Sequence, residues 1–247
     1  MTDPWLSRAR PPNLGNAEAH LWVAVVDTVA GNLPRFPSTL STDERERAAQ
    51  FLKDADRRRY MAARALLRHL LGAYAGADPG QLRFTYDAAG KPGLAADAPH
   101  GSVNFSVSHS GDLALFGFAR QHRIGVDIER IRPDIDVRHL AERFFSKNEF
   151  GKLNGLPADQ QRDAFFRCWT RKEAYLKARG GGIAHGLDRF EVTLGPAEPA
   201  AILSADDDPD APRHWTLAHL TPAPGYLGAT AVEAVTVTFQ CFRWGTG

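Results

Sequence analysis

Residues 102–129 read SVNFSVSHSGDLALFGFARQHRIGVDIE, and the pattern of this stretch decides the fold. Three short segments, SVNFSVSH, LALFGFA and RIGVDIE, carry apolar and β-branched residues and are parted by Gly, Asp and basic turns, which predicts antiparallel strands and hairpins. Upstream, HLWVAVVDT (20–28) reads as a strand. A proline-containing loop then leads into a helical stretch from residue 41 to 76, with Ser41 or Thr42 as its cap and Gly76 and Pro79 as its stop. Downstream, a helix is expected over residues 159–179, followed by the strand-like runs RFEVTL, HWTLAHL, GYLGATAV and AVTVTFQCF. Helix then strands, twice, predicts an α+β chain of two similar subdomains, residues 1–123 and 124–247, with a crevice between them. Duplication rests on element order alone, because no residue-level repeat is visible.

Composition limits what such a chain can do. With 247 residues, 43% of them apolar, it can bury a substantial core. Its 30 basic and 29 acidic side chains nearly cancel, so a polyanion site must be a local cluster, and bulk nucleic-acid coating is not expected. Cys168 and Cys241 lie in no metal-type spacing and read as buried free thiols in a reducing compartment. The start, MTDPWLSRARPPN, has no apolar core, and no later run approaches the ~20 apolar residues of a membrane span. The expected location is the cytoplasm. The acidic run SADDDPDAP (204–212) reads as a solvated turn.

Within GVDIE (125–129), strand alternation sends Val126 and Ile128 to one face and Asp127 and Glu129 to the other. Carboxylates so spaced sit about 6–7 Å apart and repel by ~2.5 kcal/mol at an effective dielectric of about 20. Either a hard cation such as Mg²⁺ offsets that repulsion, or the pair is hydrated on an edge strand. A third acid would favour the cation. Such an acid stands in FFRCWTRKEAYLKARGGG (165–182), where Phe165, Trp169 and Leu176 cluster on one side of the helix and Glu173 lies about 60° from that stripe, with Lys177 one turn on. Alone, Glu173 and Lys177 also read as an ordinary i,i+4 pair contributing ~0.2–0.5 kcal/mol. Gly180, Gly181 and Gly182 serve as a C-cap or as clearance for a close backbone approach. They are not a phosphate loop, which precedes its helix. Lys91 sits in a Gly-Lys-Pro turn, and Ser108 and His109 end a strand expected near GVDIE, where as a donor pair they suit an oxyanion. A Ser-His hydrolase elbow, GxSxG, is absent.

NFSVSHS, GVDIE and WTRKEAYLKARGGG, in this order and spacing, resemble the motifs of the Sfp-type 4'-phosphopantetheinyl transferases of the W/KEA subgroup. RFFSKNEF (143–150) resembles that family's linking segment. The resemblance is specific over residues 91–182 and looser over 41–90. It implies the 4'-phosphopantetheinyl transferase fold, with two subdomains in pseudo-twofold arrangement and the active site in the crevice. It implies Mg²⁺-dependent transfer of 4'-phosphopantetheine from coenzyme A to a serine of an apo acyl, peptidyl or aryl carrier protein of fatty-acid, polyketide or peptide synthesis, releasing 3',5'-ADP. Asp127, Glu129 and Glu173 would hold the Mg²⁺, and Lys177 would meet the pyrophosphate. Glu173 would act as base, directly or through water. Ser108, His109 and Lys91 would contact the nucleotide end, while Lys172 and Trp169 shape the wall.

One departure concerns the 3'-phosphate. Several relatives carry lysines near the start of the first long helix, but this chain has Glu44 where one would align, which leaves Arg47, Arg59 and Arg64 as substitutes. Helical spacing also brings Arg57, Arg64 and Arg68 together, as an anion site or as a solvated face. With both subdomains in one chain, a monomer is expected, with neither a nucleic-acid nor a membrane partner. Two other readings remain at this stage. The same acids and Lys177 would suit a Mg²⁺-dependent nuclease or phosphodiesterase, and a non-catalytic coenzyme A or carrier-binding module would keep the fold.

Overall fold

A long helix laid against a sheet recurs in both halves of the chain, and the seam where the two sheets meet carries the acids. The structure, a computed structural model, describes residues 4–31, 39–87, 90–95, 103–180 and 186–245. The first half runs β1 (Leu6–Arg8), β2 (Glu18–Val25), α1 (Val26–Gly31), α2 (Thr42–Ala49), α3 (Asp54–Ala75), β3 (Phe84–Tyr86), β4 (Pro92–Leu94), β5 (Val103–Ser110) and β6 (Leu113–Arg120). The second runs β7 (Ile124–Arg130), α4 (Val137–Phe144), α5 (Lys147–Asn154), α6 (Ala158–Arg179), β8 (Phe190–Val192), β9 (Ile202–Ala205), α7 (Ala211–His214), β10 (Thr216–Leu220), β11 (Tyr226–Val232) and β12 (Thr238–Trp244). This is the α+β class read from the sequence. Among the described residues no helix is long and apolar enough to cross a membrane.

The five-stranded sheet has the order β1-β12-β2-β6-β5, and the three-stranded sheet the order β10-β11-β7. The expected boundary at 123/124 falls just before β7, yet the chain's last strand returns to the first sheet. There β12 pairs in parallel with β2, Phe242 opposite Trp22. A linear cut cannot describe that crossing, because strand order in space is set by sheet edges and not by sequence distance. The unbroken apolar run of β2 follows from its position: Trp22 and Ala24 pack on α3, while Ala19, Leu21 and Val23 face β7. Both faces are buried, so the alternation of a half-wet strand is absent.

The expected helix of residues 41–76 is two helices, α2 and α3, separated at residues 50–53. Ser41 caps α2, its N–H donating to Glu44 Oε2 at 3.0 Å. Gly76 ends α3 in the left-handed region, φ 64°, as its place after the apolar pattern predicts. Both α3 and α6 are 22 residues long. The stripe expected on α6 is wider than read, since Phe166, Cys168, Ala174, Tyr175 and Ala178 are buried with Phe165 and Leu176. Strands and shorter helices wrap this helix on several sides, so polar Thr170, Arg171 and Lys172 are buried too. Cys168 is buried and Cys241 half-buried, and neither forms a disulfide among the described residues.

Candidate active site

Gly125 sets the distance between β7 and α6. A Cβ there would stand 1.9 Å from the Ala174 carbonyl oxygen and 2.4 Å from Ala178 N, so only glycine lets the strand touch the helix backbone. Period-two alternation puts Asp127 and Glu129 on the same face as Gly125, toward α6, while Val126 and Ile128 are buried in the core between the sheets. Glu173 and Lys177 project from α6 into that space.

Lys177 Nζ donates to Asp127 Oδ1 at 2.7 Å and to Ser108 Oγ at 2.9 Å. Ser108 Oγ donates to the same Asp127 oxygen at 2.8 Å. Burial raises the Glu173 carboxyl above its ordinary range, the Asp127 and Glu129 charges push it the same way, and Lys177 opposes them. Burial likewise raises Glu129, against a hydrogen bond from Ser110. Asp127 Oδ2 and Glu173 Oε1 are buried without a hydrogen-bond partner among the described residues. Three carboxylates face one ammonium here, and two of their oxygens are unsatisfied, which is the oxygen-donor chemistry a hard divalent cation takes. Among the described residues no group of three or more His, Cys, Asp or Glu side chains is gathered closely enough to hold a metal ion.

The two sheets are joined at this point by side chains. Val126, Ile128 and Arg130 of β7 donate their backbone N–H groups to Ser106, Ser108 and Ser110 Oγ of β5, at 3.1, 3.4 and 3.1 Å. Alternate serines of FSVSHS thus replace a backbone ladder, which strand propensity alone would not reveal.

Ser108 and His109 do not act as a side-by-side donor pair. Successive side chains on a strand leave opposite faces, so Ser108 is buried toward Asp127 while His109 lines a cavity of about 370 Å³ with Arg47, Arg59, Arg64 and Tyr60. That cavity brings the expected phosphate-binding arginines together, but their charges are not equally free. Arg64 donates to Glu44 and, at 2.8 Å, to Tyr86 Oη, and its guanidinium lies 4.2 Å from the Phe84 ring. Arg68 is buried, bonded to Glu44 Oε2 at 2.6 Å and to the Pro79 and Leu82 carbonyls. Burial pushes the Glu44 carboxyl up, but Arg68 and Arg64 outweigh it and hold it below the ordinary range. Arg68 is therefore part of the fold. Arg57 pairs on the surface with Asp54, 2.8 Å away, and does not join Arg64. Arg59 bridges Asp27 and Asp112 at 3.0 and 3.1 Å at the surface.

Lys91 lies apart from this cavity, against the end of α6. Its Nζ donates to the Lys177 carbonyl oxygen and, at 3.4 Å, to that of Ile124, and burial, with help from Arg123 and Lys177, lowers it to about 8. Arg123, Tyr86 and Phe105 share its cavity of about 360 Å³. Lys172 is fully buried and turned from the seam, donating to Glu149 Oε2 at 2.8 Å and to the Leu187 and Phe190 carbonyls. It supports the second core, whereas the sequence suggested a wall of the site. Gly180 ends α6 at φ 77°, and Gly181 and Gly182 lie outside the described residues. The sequence reading missed Ser110 and Glu149, whose signals were the serine alternation and the SKNE capping box.

Comparison with known proteins agrees with this geometry. Residues 123–235 match the 4'-phosphopantetheinyl transferase superfamily, and residues 30–119 match the N-terminal family model of 4'-phosphopantetheinyl transferases. The chain is 41% identical over 230 residues to the 4'-phosphopantetheinyl transferase HetI of Nostoc sp., covering 92% of this chain and 93% of that one. It is 35% identical over 160 residues to 4'-phosphopantetheinyl transferase Sfp of Bacillus subtilis, covering 65% of this chain and 69% of that one. The L-aminoadipate-semialdehyde dehydrogenase-phosphopantetheinyl transferase of Pongo abelii is 32% identical over 166 residues, 64% of this chain and 54% of its own. With its motifs on both sides of the seam and a full-length relative at this identity, the chain belongs to the 4'-phosphopantetheinyl transferase superfamily.

Proposed function

We propose that the protein transfers 4'-phosphopantetheine from coenzyme A to a serine hydroxyl of an apo acyl, peptidyl or aryl carrier domain, with Mg²⁺ present, and releases 3',5'-ADP. The observation that supports this most is the meeting of Asp127, Glu129, Glu173 and Lys177 at one seam, with unsatisfied carboxylate oxygens on Asp127 and Glu173. Asp127, Glu129 and Glu173 would hold the cation, whose charge, when bound, stabilises the pyrophosphate oxygens. Lys177, 31% exposed on its side chain, turns its ammonium from Asp127 toward the phosphate bridge. Glu173 takes the proton of the incoming serine, directly or through water. The serine oxygen bonds to the phosphorus bearing pantetheine as the P–O bond to 3',5'-ADP breaks, and Lys177 steadies the departing oxygen.

Arg47, Arg59, Arg64 and His109 face the nucleotide's 3'-phosphate in this reading, and Ser108 and Lys91 contact its bridge end. Glu44 is shared by Arg64 and Arg68, and Asp27 and Asp112 hold Arg59, so Arg47 carries the larger share. A monomer in the cytoplasm fits a chain that supplies both sides of its own seam and whose two cysteines form no disulfide. The test incubates the protein with coenzyme A, Mg²⁺ and a panel of apo carrier domains and weighs the carriers. A mass gain of one phosphopantetheine is expected on at least one carrier, and a panel without any adduct overturns the reading.

A further inference from the structure

Beyond the acids themselves, we infer that Ser110 is a positioning residue that aims the Glu129 carboxylate, an inference that rests on the transfer reaction proposed above. A hydroxyl offers one proton and two lone pairs. At Ser110 the Arg130 N–H occupies a lone pair at 3.1 Å, and the single proton goes to Glu129 Oε2 at 2.8 Å. Both partners belong to β7, so the rung that joins the two sheets also fixes where the acid points.

Ser110 is itself held. The turn that follows it begins at Gly111, φ 56°, where a Cβ would stand 2.5 Å from Tyr226 Oη. Tyr226 Oη also accepts from Asp112 N at 3.2 Å. Tyr226 lies on β11, opposite Arg130 of β7, so the second sheet clamps the turn that carries Ser110. Ser106 provides the contrast: its Oγ takes the Val126 N–H at 3.1 Å, and no acid of the site hangs from that rung.

This separation allows a decisive experiment. Turnover, and Mg²⁺ binding by calorimetry in the presence of coenzyme A, are measured for wild type, Ser110→Ala, Ser110→Thr, Ser106→Ala, Glu129→Gln and the Ser110→Ala/Glu129→Gln double variant. Ser110→Ala is expected to lower turnover and Mg²⁺ affinity by about 10-fold or more, the usual loss when the partner of a metal-site acid is removed. Ser110→Thr keeps the hydroxyl and restores most of both. In the Glu129→Gln background Ser110→Ala should add less than about twofold, because non-additivity marks residues acting through one another. Ser106→Ala should lower the melting temperature and leave turnover within about twofold. Equal turnover losses in Ser106→Ala and Ser110→Ala would overturn the inference, as would a Ser110→Ala loss that persists undiminished without Glu129. A wild type that gives no Mg²⁺ heat would remove the metal from the proposed function, while the turnover cycle still decides Ser110.

Discussion

Lys177 Nζ stands 2.7 Å from Asp127 Oδ1, one on a helix and the other on a strand 50 residues earlier. The strand holds a carboxylate whose side chain is 5% exposed, whereas the lysine keeps 31% of its own in contact with solvent. An ammonium so held is pre-aimed at the seam and still reachable by a phosphate. Lys177→Gln should therefore lower kcat by about 10²–10³, the loss seen when an aimed electrostatic donor is removed. Because the substitution takes the cation from a buried carboxylate, it should also cost ~1–3 kcal/mol of stability. Mass-based transfer rates and denaturant titration check the two halves, and a fall in stability without a fall in rate would contradict the role.

Glu173 presents the opposite case, a half-buried acid with a buried, partnerless oxygen beside two further carboxylates. Glu173→Gln removes a charge that Lys177 only partly compensates. The melting temperature should then hold or rise by a few degrees, equivalent to about 1 kcal/mol for a domain of this size. Transfer should be abolished. Added Mg²⁺ stabilises wild type by mass action and should stabilise the variant less, which thermal melts at graded Mg²⁺ would show. Retained transfer would remove Glu173 as base and ligand together.

The reading of GVDIE from its alternation needed only local physics, since a strand must part Val126 and Ile128 from Asp127 and Glu129. Likewise Gly76 marked its helix end by conformation alone. The return of β12 to the first sheet was not legible, because pairing between residues 18 and 238 has no local signature. Lys172 misled for a related reason: a lysine beside the glutamate expected in the site reads as part of that site until Glu149, 23 positions away, is seen to face it at 2.8 Å. Glu44 was visible as a departure in the phosphate region, but its capture of Arg64 and Arg68 depends on how α2 folds back on α3.

The Lys172 and Glu149 pair, each fully buried, gives a stability prediction. Glu149 also accepts from Val192 N at 2.8 Å, so the pair ties α6 to α5 and β8. Lys172→Met leaves a buried carboxylate without its cation and should cost ~3–5 kcal/mol. Lys172→Met with Glu149→Gln removes both charges and should recover part of that loss. Urea unfolding of the two variants measures the difference, and specific activity of the folded fraction should stay near wild type. A single variant as stable as wild type would contradict the pairing.

Gly125 allows a steric test of the strand-to-helix contact. In Gly125→Ala the new methyl meets backbone on both sides, atoms that cannot rotate away. Overpacking at such a point costs ~1–3 kcal/mol or more, and relief requires α6 to retreat from β7. That retreat carries Glu173 and Lys177 away from Asp127 and Glu129. Both melting temperature and transfer rate should fall, the rate persisting as a defect at temperatures where circular dichroism reports a folded chain. A variant with wild-type rate would show that the contact does not set the site.

Lys91 should give stability and coenzyme A binding opposite dependences on pH. Burial lowers its ammonium to about 8 in the folded protein, against an ordinary value of 10.5. Between these values the unfolded chain still holds the proton that the folded chain has released. Unfolding therefore takes up a proton there, and stability rises with pH from about 8 to 10.5. Below 8 both states are protonated and the contribution is flat. Coenzyme A binding runs the other way if Lys91 meets the nucleotide as a cation, so affinity should weaken as pH passes 8. Lys91→Met removes both dependences, although it leaves the Ile124 and Lys177 carbonyls without their donor, at a cost of ~1–3 kcal/mol. The check is the difference between wild type and Lys91→Met in unfolding free energy and in coenzyme A dissociation constant from pH 7 to 10. Parallel curves in the unfolding series would contradict the lowered value, and parallel curves in the binding series would remove Lys91 from the nucleotide site.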